Sequence, residues 1–313
     1  MEATEKYTVV SDHSFFYELL GDTLQAYMND DSVCEISLNA DGNVWLVSVD
    51  GKSRCVGSPI NADQAKTLIG VVAHHNGTEI HTERPKLSAV LPSGERFEGL
   101  LPPMVKAPAF TIRKHIALYL SLDDLTRTEV LTSTQAQQIK QAVLDKKNII
   151  VSGETGSGKT TLANAILHEV AKTGDRIITA EDTEELKCAA KNSLALFSSE
   201  QVTMRMVMQS VMRLNPDRIV VGEVRDGVAL DLIKAWCTHG GGVATLHASK
   251  AENALGRLGS LIQEAIPEIP HQQIADAVDM IVHVNYDAGR RWVNVLAVEG
   301  YSHDNREYIY CTN

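Results

Sequence analysis

The stretch Gly153-Glu154-Thr155-Gly156-Ser157-Gly158-Lys159-Thr160 constrains this chain more than any other. It matches the phosphate-binding loop pattern G-x-x-x-x-G-K-[ST] at every fixed position. Its setting also fits. The apolar run Asn148-Ile149-Ile150-Val151 before it reads as a buried strand. After it, Leu162, Ile166, Leu167 and Val170 repeat at helical spacing, with Gly174 just past the end. Gly153, Gly156 and Gly158 allow the backbone to curl so that successive N–H groups face phosphate oxygens. Thr155, Ser157 and Thr161 complete the candidate nucleotide contacts. The helix N-terminus adds the positive end of its dipole. In such a loop Lys159 reaches the β- and γ-phosphates, and the Thr160 hydroxyl ligates Mg²⁺. The expected ligands are therefore ATP and Mg²⁺.

From about residue 134 onward, helical patterns alternate with short apolar runs at 148–152, 176–180, 218–222 and 242–246. That alternation predicts an α/β domain built on a parallel sheet with helices on both faces. Met280–Asn285 and Arg291–Val298 revert to hairpin character. The first 115 residues predict a smaller α+β domain. A helix is expected over 13–28, then strands at Val33–Leu38, Val44–Val49 and Arg54–Val56, turning at Asp50-Gly51. A helix over 61–75 and strands Leu87–Leu91 and Glu95–Leu100 follow, the latter pair flanking a Pro92-Ser93-Gly94 turn, and Phe110–Lys114 extends again. Residues 116–133, rich in Thr and Asp with weak periodicity, read as a linker, leaving 134–313 as the nucleotide-binding domain.

The 313 residues leave room for two domains, and 44% hydrophobic with 22% charged residues is the composition of a chain with real cores. No apolar run nears the ~20 residues that span a bilayer. Met1–Lys6 carries acids without an apolar segment behind it, unlike a signal peptide. Five scattered cysteines form no C-x-x-C pair, which disfavours a disulfide framework or zinc site and favours reduced thiols in a cytoplasm. A formal net charge of −11 argues against nonspecific nucleic-acid binding. Basic residues adjoin only in short pairs such as Arg113-Lys114, Lys146-Lys147 and Arg290-Arg291.

Three further segments bear on the chemistry. Arg218–Val221 is an apolar strand that ends, after Gly222, in Glu223, where an acid can serve Mg²⁺ and the attacking water. Glu181-Asp182-Thr183-Glu184-Glu185 places four acids in five positions after another strand. Close carboxylates can orient water, although an acidic first helical turn would look the same. His239 and His247 bracket Gly240-Gly241-Gly242 and the next strand, and His247 stands at its C-terminal end, where α/β ligands bind.

The order of phosphate loop, acidic box, Leu214–Asp226 (LNPDRIVVGEVRD) and Thr238–Ser249 (THGGGVATLHAS) resembles the secretion ATPase superfamily of type IV secretion, type II secretion and type IV pili. Leu100–Lys114 (LLPPMVKAPAFTIRK) resembles its TrbB-type conjugal branch. The resemblance implies a RecA-like domain in a homohexameric ATPase ring that powers conjugative type IV secretion, with a pilus-retraction motor of the same fold, or a RecA-like motor acting directly on DNA, as the alternatives. The ring would be peripheral at the cytoplasmic face of the inner membrane, would dock on type IV secretion components including a second secretion ATPase, and would read no nucleic-acid sequence. Residue by residue, it implies Lys159 and Thr160 on phosphate and Mg²⁺, Glu184 as general base, Glu223 as Walker B acid and His239 and His247 as the histidine box. Arg113 would clamp phosphates from the N-terminal domain, with Arg96, Arg205 and Arg213 as weaker candidates. Thr238 replaces a usual glycine, and the tetracysteine element of extension ATPases is absent.

Overall fold

The computed structural model describes residues 12–49, 51–91, 93–114, 120–199 and 201–311. Met1–Lys6, Asp50 and Pro92 of the expected turns, and residues 116–119 of the expected linker lie outside these. The chain divides into two compact units, Met1–Ile116 and Ala117–Asn313.

In the first unit six antiparallel strands form one sheet. They are β1 (Val33–Leu38), β2 (Val44–Ser48), β3 (Ser53–Gly57), β4 (Lys86–Val90), β5 (Arg96–Leu100) and β6 (Ala109–Arg113), in the order β3-β2-β1-β6-β5-β4. Alternate residues Ile36, Leu38, Leu46, Phe97, Phe110 and Ile112 are buried against α1 (Asp12–Met28) and α2 (Ala62–His75). The helix expected over 13–28 is broken at Gly21, whose φ of 68° and ψ of 164° lie outside the helical region. Asn61 starts α2 with a capping box shared with Gln64.

The second unit has eight strands in the order β14-β13-β12-β7-β11-β10-β8-β9. β7 (Ile149–Gly153), β8 (Ile177–Glu181), β9 (Ser193–Phe197), β10 (Arg218–Val221), β11 (Val243–His247) and β12 (Met280–Asp287) run parallel. β13 (Arg290–Ser302) and β14 (Glu307–Cys311) add an antiparallel edge. Strand side chains alternate between two cores. Ile149, Val151, Ile177, Val220 and Val243 face α3 (Leu122–Arg127), α4 (Ser133–Leu144) and α5 (Lys159–Ala171). Ile150, Ile178, Ile219, Val221 and Ala244 face α6 (Met204–Val211), α7 (Val228–Trp236), α8 (Ala254–Ile262) and α9 (His271–Ala277).

Residues 120–133 correct the expected linker. They hold α3 and the start of α4, and Leu122, Leu125 and Leu131 are buried in the same core as α5. The polar residues that suggested a linker are caps: Ser121 with Asp124 and Thr132 with Gln135 close two capping boxes. β9 and β14, unread in the sequence, are edge strands without a clean apolar alternation.

Candidate functional site

The phosphate loop joins β7 to α5 at the C-terminal edge of the parallel sheet, the edge at which α/β folds bind ligands. Gly153 has no room for a side chain: a β-carbon would lie 2.6 Å from Ser157 Oγ and from the Val284 carbonyl. Gly158, at φ 107°, is the left-handed residue before α5, and no side chain caps that helix. Its first N–H groups are thus left to a ligand. Ser157 is buried, and its Oγ is one of two buried side-chain polar atoms without a hydrogen-bond partner among the described residues. A glycine cradle, an uncapped helix start and an orphaned hydroxyl fit a polyphosphate.

Around the loop the sheet edge supplies a chain of charge. Lys159, 7% exposed, donates to the Glu154 carbonyl at 2.9 Å and meets His247 Nδ1 at 3.2 Å. An ammonium has only donors, so Nδ1 accepts, and Nε2 carries the proton that faces Glu223 Oε1 at 2.8 Å. Glu223 in turn pairs with Arg225, whose Nη1 lies 3.6 Å from Asp182. Burial works to raise the Glu223 carboxyl. The hydrogen bond and charge of Arg225, with His247 and Lys159, outweigh it and hold the group below its ordinary value. The register explains the meeting: His247 stands opposite Gly153 in the β11–β7 pair, so it shares the loop's edge.

In the acidic box, the geometry sets apart Glu184, which the resemblance implied as general base, from the acid that meets Thr160. The carboxylate beside Thr160 is Glu185, whose Oε2 accepts from Thr160 Oγ1 at 3.1 Å. Glu184 points elsewhere. It pairs with Lys187 at 3.0 Å, its side chain is 63% exposed, and it borders a pocket of about 340 Å³ with Cys188 and Ser193. Glu181 sets this arrangement. Its buried Oε1 accepts from the backbone N–H groups of Glu185 and Leu186 at 2.9 and 2.8 Å. Asn164 on α5 fixes the next turn by donating to the Glu185 carbonyl and accepting from Lys187 N. The glycine before Glu223 also has a cause: a β-carbon on Gly222 would lie 2.9 Å from Glu181 Cγ.

Burial pushes the Glu181 carboxyl up to about 7, against the pull of its two backbone donors. An ordinary glutamate in the unfolded chain ionises near 4.5. The stabilisation is thus complete below pH 4.5 and is lost as pH rises through 7, by roughly 3 kcal/mol. Denaturant melts of the ligand-free protein at pH 5 and pH 8 should therefore differ less for Glu181→Gln than for the parent. An equal pH effect in both would remove Glu181 as the source.

Two expected nucleotide contacts lie elsewhere. His239 follows the end of α7, with its ring against Thr238 Oγ1 and the Ala235 carbonyl. It precedes β11, and the next residue, Gly240, packs on the Lys146 carbonyl ahead of β7. His239 is thus at the N-terminal edge of the sheet, opposite the phosphate loop. Arg213 is exposed on the loop entering β10 at that same edge, just before Leu214, whose carbonyl holds Arg176 ahead of β8. Arg205, on the first turn of α6, pairs with Asp231 at 3.5 Å. Arg113 and Arg96 are opposite each other on β6 and β5 of the first unit, and Arg113 is exposed. Thr155 is exposed and Thr161 half-buried at the start of α5. No cluster of three His, Cys, Asp or Glu that could hold a metal occurs among the described residues.

A profile of the family described as "Type II/IV secretion system protein" matches residues 84–286. The chain is 45% identical to the probable conjugal transfer protein TrbB of Sinorhizobium fredii, over 93% of this chain and 90% of that protein. It is 30% identical to the type IV secretion system protein PtlH of Bordetella pertussis, over 88% of this chain and 94% of that one. Among solved structures, the Legionella pneumophila ATPase DotB superposes with a TM-score of 0.61 at 17% identity, covering 94% of this chain and 82% of DotB, a likeness of fold.

Proposed function

The chain belongs to the Type II/IV secretion system protein family, and from that premise we propose that it is a Mg²⁺-dependent ATPase. Its second unit is RecA-like and works in a homohexameric ring that powers conjugative type IV secretion. The observation that carries this reading is the convergence on one sheet edge of the phosphate loop, the Thr160–Glu185 pair and the Lys159–His247–Glu223 chain. The similarity to TrbB over nine-tenths of both chains favours the conjugal branch.

In this reading Lys159 exchanges the Glu154 carbonyl and His247 for the β- and γ-phosphates. His247 then loses a donor, and through it Glu223 reports whether phosphate is bound. Thr160, Glu185 and Glu223 are the residues that would hold Mg²⁺ and its waters, and the metal supplies charge neutralisation on the phosphates. Glu185 is the general base. It takes a proton from the water that attacks the γ-phosphorus as the bond to the bridging β–γ oxygen breaks. No helix among the described residues is long and apolar enough to cross a membrane. The ring is placed at the cytoplasmic face of the inner membrane by its secretion partners, a second secretion ATPase among them.

A ring that needs neighbours loses specific activity on dilution. ATPase rate per protomer should fall as the parent is diluted to a monomeric concentration, and Arg113→Ala should turn over more slowly at every concentration. Without the clamp role, Arg113 is a surface arginine on a strand, and its loss would change stability by less than about 0.5 kcal/mol and leave turnover intact. Flat specific activity together with an unimpaired Arg113→Ala would remove both the ring and the clamp.

A further inference from the structure

Tyr286 on β12 stands opposite Arg291 on β13. β12 also pairs with β7, where Val284 lies opposite Gly153. The hairpin therefore extends just past the strand that delivers the phosphate loop, and Arg291 reaches back onto it. Its Nε donates to the Ser157 carbonyl at 2.9 Å and its Nη2 to the Gly156 carbonyl at 3.4 Å. The guanidinium carbon lies 4.6 Å from the centroid of the Tyr286 ring. The side chain also lies against Gly158, where a β-carbon would come within 3.6 Å of Arg291 Nε.

These contacts act on the atoms that set the cradle. In a trans peptide the C=O and the following N–H point in opposite directions. Donors that hold the Gly156 and Ser157 carbonyls on one side turn the N–H groups of Ser157 and Gly158 to the other, where without nucleotide the Ser157 N–H donates to the Glu154 carbonyl at 3.2 Å. Gly156 and Gly158, at φ 75° and 107°, have the freedom to leave that arrangement. A planar fork can hold two carbonyls at once, and an aromatic face can seat it; a lysine offers a point charge instead. We propose that Arg291, seated on Tyr286, is a positioning residue of the nucleotide site, holding the phosphate loop in its anion-binding form before nucleotide arrives. The proposal rests on the reading of that loop as the nucleotide site.

The test is calorimetric titration of ADP with Mg²⁺ into the full-length parent, Arg291→Gln, Arg291→Lys and Tyr286→Leu, with thermal melting of each ligand-free protein. Arg291→Gln should bind ADP roughly tenfold more weakly, the scale of one charge-assisted contact. Its melting temperature should stay within about 2 °C of the parent. Arg291→Lys should recover little of the affinity, and Tyr286→Leu should lose affinity in the same direction. In steady state the KM for ATP should rise with the ADP Kd while kcat stays near parental, because the loop is held equally in ground and transition states. Unchanged ADP affinity in Arg291→Gln and Arg291→Lys overturns the proposal, as does a lowered melting temperature with parental affinity. Should Arg291→Gln fail to fold, Arg291→Lys and Tyr286→Leu decide by the same affinity criterion. A parent that binds no ADP would instead sink the nucleotide-site reading itself.

Discussion

Glu185→Gln should slow ATP turnover on the order of 10²–10⁴-fold, the range for removing a positioned acid–base group, and Glu184→Gln should not. The amide keeps an oxygen that accepts from Thr160, so Glu185→Gln should still bind ATP and Mg²⁺. It lacks the charge that takes a proton from water. Glu184 lies against Lys187, and its loss removes one exposed ion pair, worth about 0–1 kcal/mol and irrelevant to the phosphate loop. Phosphate release and nucleotide titration on both variants settle the assignment. A parental rate in Glu185→Gln beside a crippled Glu184→Gln would return the base role to Glu184.

Lys159→Ala should abolish measurable phosphate release. The lysine is nearly buried, and its ammonium is the loop's only side-chain cation. Losing a charge-assisted contact to phosphate costs roughly 1.5–3 kcal/mol in binding. The transition state, with charge spread over the γ-phosphoryl oxygens, loses more. The substitution also removes the donor to His247 Nδ1, so the His247–Glu223 contact must reorganise even without nucleotide. A variant that hydrolyses ATP at the parental rate would show that chemistry occurs elsewhere on the chain.

Much of this protein is written in short-range pattern. The phosphate loop was legible because it depends on glycine backbone freedom and a strand-to-helix switch, both local properties. The order of βα units was legible because each buried strand carries a continuous apolar run. Where local signals served two purposes, the sequence misled. Ser121, Asp124 and Thr132 looked like a linker because capping residues and loop residues are the same residues.

The acids of the box were visible as a group, yet their roles were not. Which one meets Thr160 depends on Glu181 gripping the backbone of Glu185 and Leu186, a contact that depends on how the chain turns after β8. The two histidines were a different case: the five-residue extended strand β11 ends on His247 and His239 precedes its start, which by itself puts the two on opposite sheet edges. Arg291 carried no signal beyond a pair of basic residues. It meets Ser157 across 134 positions of sequence because β12 pairs with β7 and the next strand folds back beside it. Sequence marked the βα units around the phosphate loop as strand, loop and helix, but not α3, β9 or β14. The pairing of strands distant in the chain decided which side chains share the nucleotide's edge, because that pairing is a property of the whole sheet and of no single segment.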